Sequence, residues 1–227
     1  MNLQFLTADL NAFPGATAQI DKTRFATFLE ADSPGNTSTQ WLDQSGHGKD
    51  AVANTAFSLT VDAQGRACYV ADGSQLFSLS TLRAVPSDYT IYLLVRKSSG
   101  TGIRFIDSFS DRWIVQVSEG AVLYNSSGGT MSNYIMPPDD QLRLLVVRLN
   151  SAGATLLVNG VIEASGQWVQ KTATSPFYLG GTPDGGGLYG ALRGAWYAFG
   201  FVVGNDTDAD VEQVRQYFAA KLGTSFL

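Results

Sequence analysis

The sequence predicts an all-β protein, an antiparallel β-sandwich of the jelly-roll type, with an α-helix at its C-terminal end. Short apolar runs follow one another at intervals of about ten residues, which is typical of sandwiches. Twenty-four glycines spread along the chain separate these runs and indicate many turns. Only near the end do apolar residues recur with the period of a helix, at Val211, Val214, Phe218 and Leu222.

Two long apolar runs mark the predicted centre of the sheets. Residues 89–95 are nearly all apolar or aromatic, which indicates a strand covered on both faces, and residues 142–149 repeat the pattern. Asn159-Gly160 predicts a two-residue type I′ turn, because both positions of that turn need positive φ. The remaining strands are predicted over residues 25–29, 57–61, 67–71, 76–79, 104–107, 113–117, 122–124, 155–158, 161–164, 177–180 and 195–203.

A tight glycine turn is predicted within residues 41–51, which read WLDQSGHGKDA and enter and leave the turn as strands. Gly46 and Gly48 supply positions of positive φ, and Asp43 can accept hydrogen bonds from the turn backbone. The single histidine, His47, stands between the two glycines. It is interpreted as a turn residue, with a ligand or a pH-sensitive contact as the alternative.

The C-terminal helix has a signal at each end. Thr207 is a suitable N-cap, and Asp208 and Asp210 follow it in the first turn, where the helix dipole favours acidic groups. Gly223 can provide the C-terminal cap.

The length of 227 residues suits one large all-β domain, which we place over residues 24–227. Residues 1–23 match the strand pattern least well and are predicted to form an N-terminal arm or an edge strand. The single cysteine, Cys68, excludes an intramolecular disulfide and is expected to be a buried small hydrophobe.

Several functions are disfavoured by composition. A net charge of −5 without a basic run argues against binding nucleic acid. The sequence lacks an apolar stretch of about 20 residues, so no membrane insertion is expected. No secretory signal is visible at the N-terminus.

Several segments, in their order along the chain, resemble a known family. Residues 41–51 are similar to its Trp-x-Asp-x-Ser-Gly-x-Gly-x-Asp-Ala segment, residues 156–160 to its Leu-x-Val-Asn-Gly hairpin, and residues 179–181 to its closing Leu-Gly-Gly. The family is the laminin-G-like jelly-roll domain of bacterial and phage proteins, within the concanavalin A-like lectin/glucanase superfamily. The resemblance covers about residues 24–223 and implies the jelly-roll fold. Relatives include lectins, polysaccharide-binding modules, adhesion domains, glycosidases and lyases.

The residues do not match those of the catalytic relatives. Glucanases of the superfamily carry Glu-x-Asp-x-Glu on one strand, whereas here Glu30 and Asp32 are followed by Pro34 where the second Glu would stand. A lyase site would need a histidine on a strand, and His47 lies in a turn. We therefore expect no enzyme activity, with a glycosidase or lyase as the alternative.

Calcium is the metal that the resemblance implies, since several relatives bind it through carboxylates and carbonyl oxygens. The candidate ligands are Asp107 and Asp111, and Asp184 is a further one. These acids lack the dense spacing of a dedicated calcium loop, so solvated loop acids compete with a metal site. No cofactor is certain.

Carbohydrate sites stack sugar rings on aromatic faces and bind hydroxyl groups with amides and carboxylates. Trp41, Trp113 and Trp196 lie in apolar runs and are predicted to be core residues, whereas polar neighbours surround Trp168 as at an exposed surface. The candidate ligand-binding residues are Trp168, Tyr134, Tyr189, Asp184 and Asn133. Ordinary edge packing is the alternative for the aromatic ones.

These observations predict a non-catalytic recognition or adhesion module that binds cell-surface glycan or polysaccharide. The family's distribution suggests the surface of a phage virion, as a tail appendage or capsid decoration, with an extracellular location as the alternative. Two other functions stay open: a carbohydrate-active enzyme, and a purely structural virion subunit that contacts neighbouring virion proteins or forms a homo-oligomer.

Overall fold

The computed structural model describes residues 18–82, 88–99, 103–108, 113–117, 121–125, 134, 136–168, 176–184, 187–189 and 191–226. A 3₁₀ turn, Lys22–Arg24, comes before the strands, and helix α1, Asp208–Leu222, follows them. The strands are β1 (Thr27–Glu30), β2 (Gln40–Trp41), β3 (Ala51–Ala53), β4 (Ser58–Val61), β5 (Ala67–Asp72), β6 (Phe77–Leu79), β7 (Tyr89–Ser99), β8 (Ile103–Ser108), β9 (Trp113–Val117), β10 (Ala121–Asn125), β11 (Leu142–Asn150), β12 (Gly153–Val158), β13 (Val161–Gly166), β14 (Phe177–Leu179), β15 (Thr182–Asp184), β16 (Gly187–Tyr189) and β17 (Arg193–Val203).

The described strands form two large antiparallel sheets, which confirms the predicted class. The eight-stranded sheet has the order β13-β12-β11-β7-β17-β5-β4, and β1 pairs with the second half of β17. The seven-stranded sheet has the order β10-β9-β8-β14-β6-β3-β2. Strands β15 and β16 pair as a separate two-stranded ribbon.

The central strands of the eight-stranded sheet are buried on both faces. On β7, Ile91, Leu93 and Val95 join the inner core between the two sheets. Tyr92 and Leu94 belong to an outer core that α1 covers. The absence of polar alternation in this strand follows from its double burial, as predicted from residues 89–95.

Helix α1 completes the outer core. Thr207 Oγ1 accepts from Asp210 N while Asp210 Oδ2 accepts from Thr207 N, so both predicted residues form a capping box. Gly223 ends the helix in the left-handed conformation, at φ 59°. The buried residues of α1 are Val211, Val214 and Phe218. No helix among the described residues is long and apolar enough to cross a membrane.

The predicted hairpin at Asn159-Gly160 is confirmed. Both residues have positive φ, 52° and 89°, and they connect β12 to β13. Asn159 Oδ1 also accepts a hydrogen bond from Leu144 N, which links the turn to β11. The predicted N-terminal arm, residues 1–23, lies outside the described residues as far as residue 17, and its role stays a prediction.

Candidate functional site

The residues of the glycine turn are structural. Trp41 is fully buried and its ring lies 5.1 Å from that of Tyr69 and 5.3 Å from that of Phe77, so its predicted core position is confirmed. Gly46 and Gly48 have φ of 85° and 64°, as the turn requires. Trp196 and Cys68 are buried as well, whereas the side chain of Trp113 lies outside the described part.

Asp43 organises this turn from its centre. Its carboxylate accepts hydrogen bonds from Phe28 N, Ser45 N, Ser45 Oγ and Lys49 N, at 2.8 to 3.0 Å. Burial alone would raise the pKa of Asp43, but these hydrogen bonds outweigh it and hold the pKa below its ordinary value. His47 is exposed and its Nε2 lies 3.1 Å from Thr23 O. Within the described part, no three His, Cys, Asp or Glu residues are grouped so that they could hold a metal.

The expectation that Trp168 is exposed is wrong, since only 6 % of the residue is accessible. Trp168 lies two residues beyond the end of β13. Ala164 in the strand and Trp168 after it both pack in the inner core, whereas Ser165 and Gln167 between them are exposed. The polar neighbours therefore face solvent on either side of a buried ring, and Trp168 is not available for stacking on a sugar in this structure.

Tyr134 is half-buried and packs against the inner core. Burial raises the pKa of its hydroxyl, and the nearby Arg143 opposes the shift. Arg143 makes two hydrogen bonds of 2.6 Å to Asp139, and this pair lowers the pKa of Asp139 to about 2. Asn133 lies outside the described residues.

The remaining predicted site residues fall on strands or outside the described part. Asp184 and Tyr189 belong to the ribbon of β15 and β16, in which Asp184 pairs with Gly187. Asp107 lies in β8, one residue before its end, and Asp111 lies outside the described residues. The calcium site stays a prediction.

The structure contains a cavity that the sequence did not indicate, between the end of α1 and the outer face of the eight-stranded sheet. Its volume is about 280 Å³. Buried side chains of Leu94, Tyr197 and Phe218 form part of the wall. The polar lining residues are Glu30, Asp32, Gln64, Arg66 and Lys221.

Glu30 is the most enclosed charged group of this cavity, with 2 % of the residue exposed. Its Oε1 accepts hydrogen bonds from Lys221 Nζ at 2.7 Å and from Tyr217 OH at 2.6 Å. Its Oε2 accepts from Lys22 Nζ. Lys221 Nζ also lies 2.9 Å from Asp32 Oδ1. The buried carboxylate is thus fully paired, as burial of a charge requires.

The turn between β4 and β5 forms the opposite wall. Asp62 accepts hydrogen bonds from Arg66 Nε at 2.7 Å and from Tyr197 OH at 2.9 Å, and Arg66 Nη2 donates to Gln64 Oε1. Gly65, at φ 76°, allows the tight turn. Burial and the hydrogen bond to Asp62 raise the pKa of Tyr197.

A second cavity of about 490 Å³ lies along β4. The two cavities share Asp32 and Ala67 as lining residues. We name the two together the Asp32 groove. The second cavity is lined by Ala31, Asp32, Ser33, Asn36, Leu59, Thr60, Val61 and Ala67.

No protein-family model and no curated protein matches the sequence. The fold is similar to domain 4 of AbnA, an extracellular GH43 arabinanase from Geobacillus stearothermophilus, in complex with arabinotriose. The TM-score is 0.62 at 14% identity, over 85% of this chain and 98% of that one.

Two further solved structures share the fold. The ligand-binding domain of botulinum neurotoxin serotype D, in complex with N-acetylneuraminic acid, has a TM-score of 0.57 at 10% identity, over 86% of this chain and 51% of that one. A Trypanosoma rangeli sialidase in complex with 2,3-difluorosialic acid has a TM-score of 0.63 at 12% identity, over 97% and 36%. The chain thus spans about half of the neurotoxin domain and about a third of the sialidase. At these identities the similarity shows the fold, a β-sandwich also found in carbohydrate-binding domains.

Proposed function

We propose that this protein is a non-catalytic module that binds glycan or polysaccharide. The match to the arabinanase domain carries the proposal, because it covers nearly the whole of a domain whose complex contains arabinotriose, 98% of its length. The same chain spans only 36% of the sialidase. Similarity to a complete domain with a bound saccharide supports binding as the function more directly than similarity to one part of an enzyme.

The chemistry of the Asp32 groove also favours binding. A glycosidase needs two carboxyl groups on opposite sides of the sugar bond, one of which gives up a proton. Glu30 and Asp32 both pair with the same ammonium group, that of Lys221. This arrangement supports a role in holding a ligand rather than in proton transfer.

We propose the surface of a phage virion as the setting, on the sequence resemblance. The order of genes around the coding sequence tests this proposal directly. Virion structural genes on both sides would support it, and a cluster of genes for polysaccharide metabolism would contradict it.

A glycan array combined with a reducing-end assay tests the binding function. We expect the folded protein to bind a subset of the glycans and to release no reducing ends during prolonged incubation with them. Heat-unfolded protein is the control for nonspecific adsorption. Binding to no glycan would overturn the proposal, and release of reducing ends or of unsaturated products would establish the enzyme instead.

A further inference from the structure

The Asp32 groove consists of two cavities that meet at Asp32. Its two cavities, of about 280 and 490 Å³, adjoin at Asp32 and Ala67. Together they fall within the ~300–1,000 Å³ of typical ligand sites. One end lies against Lys221 and Leu222 of α1, and the other lies along the edge strand β4. A ligand that fills both ends must pass Asp32.

Asp32 is positioned to bind hydroxyl groups. Its side chain is 48% exposed, and Lys221 Nζ contacts only its Oδ1. A carboxylate with accessible lone pairs accepts hydrogen bonds from hydroxyls. Arg66 complements it as a donor, since Nε and Nη2 are engaged by Asp62 and Gln64 while Nη1 has no partner among the described residues.

The charges around the groove cancel, because three carboxylates face three cations and each cation already has a carboxylate partner. These groups are Glu30, Asp32, Asp62, Lys22, Lys221 and Arg66. An acidic sugar would bring a further carboxylate beside Asp32 without an unpaired cation to receive it, at a cost in desolvation.

On these observations, and resting on the proposed function, we propose that the Asp32 groove is the glycan-binding site. Its ligand is a neutral saccharide chain of at least two sugar units, one in each cavity. The carboxylate of Asp32 accepts hydroxyl hydrogen bonds where the two units join, and Arg66 donates to the unit beside α1.

Calorimetric titration with neutral and sialylated forms of the same oligosaccharides tests this site, after the array has supplied binding glycans. We expect Asp32→Ala to weaken binding of the neutral form by about tenfold or more, as loss of hydrogen bonds to a charged group predicts. Thr60→Trp places a large side chain at an exposed position of the second cavity and should weaken binding at least as much.

Matched controls separate the groove from the rest of the surface. Glu163→Ala removes an exposed acid, and Ile162→Trp adds an indole, both on β13 at the opposite edge of the same sheet. Both controls should bind within about twofold of the unsubstituted protein, and thermal unfolding should show all four variants folded.

The outcomes distinguish this inference from the function on which it rests. No binding by the unsubstituted protein would overturn both. Binding that Asp32→Ala and Thr60→Trp leave unchanged would overturn the groove as the site while the binding function stood. Tighter binding of the sialylated form would overturn the neutral ligand.

Discussion

Two carboxylates close to each other along the chain, Asp43 and Glu30, are satisfied in opposite ways. Asp43 accepts three backbone N–H groups and one hydroxyl, and two of its three partner residues lie within six positions of it. Glu30 accepts from side chains, those of Lys22, Tyr217 and Lys221, and the last two lie 187 and 191 positions away. Both acids are connected to β1. Glu30 is its last residue, and Asp43 accepts a hydrogen bond from Phe28 N within it.

The difference separates a structural acid from an acid at a site. The backbone N–H groups cannot move away from Asp43 unless the turn opens. The carboxylate of Asp43 therefore has a structural role. The partners of Glu30 are flexible side chains from separate elements, and they meet at a cavity wall. We infer that carboxylates held by lysine side chains beside a cavity are the place to seek ligand chemistry in this molecule.

The largest effect is expected at Asp43. Asp43→Ala leaves the N–H groups of Phe28, Ser45 and Lys49 without their acceptor, and each orphaned group costs free energy. We expect the free energy of unfolding to fall by about 3 kcal/mol. Urea unfolding monitored by tryptophan fluorescence measures this change.

Asp72→Ala is the matched control for that substitution. Asp72 also accepts from a backbone N–H two residues on, that of Ser74, but in an exposed turn where water can replace it. A much smaller loss is expected there, because the exposed carboxylate already exchanges with water. Equal losses for Asp43→Ala and Asp72→Ala would show that the glycine turn does not depend on its buried carboxylate.

A smaller effect is expected at Glu30, despite its deeper burial. The side chains of Lys22 and Lys221 are 31% and 24% exposed, so after Glu30→Ala both ammonium groups can turn to water. We expect a loss of about 2 kcal/mol, below the usual cost of breaking a buried ion pair. Glu30→Gln keeps the acceptor oxygen and should lose less in the same urea assay. A loss at Glu30→Ala larger than that at Asp43→Ala would reverse the comparison.

The separation of interacting residues along the chain explains which features could be predicted from sequence. The Asp43 turn, the Asn159-Gly160 hairpin and the Thr207 cap are all set by partners within a few residues, and all three are confirmed. Strand β7 could also be predicted from sequence. A strand that is buried on both faces shows no alternation of apolar and polar residues.

The Asp32 groove could not be predicted in the same way. In the sequence, Glu30 and Asp32 form only a pattern that lacks a third acid, because their partner Lys221 lies some 190 residues further on. The burial of Trp168 is hidden from the sequence for a related reason. Its nearest neighbours along the chain are polar, and its apolar partners in the inner core come from other elements.

In the capping box of α1, a backbone N–H group is again paired with a side chain only a few residues away, but at an exposed site. Thr207→Ala removes the acceptor for Asp210 N at an exposed helix end, and we expect a loss of about 1 kcal/mol. Thr207→Ser keeps the hydroxyl and should lose little by the same urea measurement. A loss at Thr207→Ala as large as at Asp43→Ala would mean that burial does not set the value of a local cap.

The smallest expected effects are those of pH on the free energy of unfolding. The Asp43 turn should lose stability at acid pH, and the Glu30 region should lose it at alkaline pH. The pKa of Asp43 lies below its ordinary 3.8, so its contribution is present above pH 3.8 and is lost as pH falls through the folded-state pKa. Burial alone would lower the pKa of Lys221, but hydrogen bonds to Asp32 and Glu30 outweigh it and raise the pKa above 10.5. The contribution of Lys221 is therefore present below pH 10.5 and is lost as pH rises through the folded-state pKa.

Urea midpoints measured from acid to alkaline pH for two variants separate these terms. Asp43→Asn should reduce the acid fall in stability and leave the alkaline fall in place, because it removes one carboxyl group with a lowered pKa and no group with a raised pKa. Lys221→Met should flatten the alkaline fall, and the part that remains is due to tyrosines such as Tyr217, whose pKa is raised by burial and by Glu30. If Lys221→Met left the alkaline fall unchanged, Glu30 and Asp32 would not be stabilising the charged form of Lys221, and the distinction between the two carboxylate regions would fail.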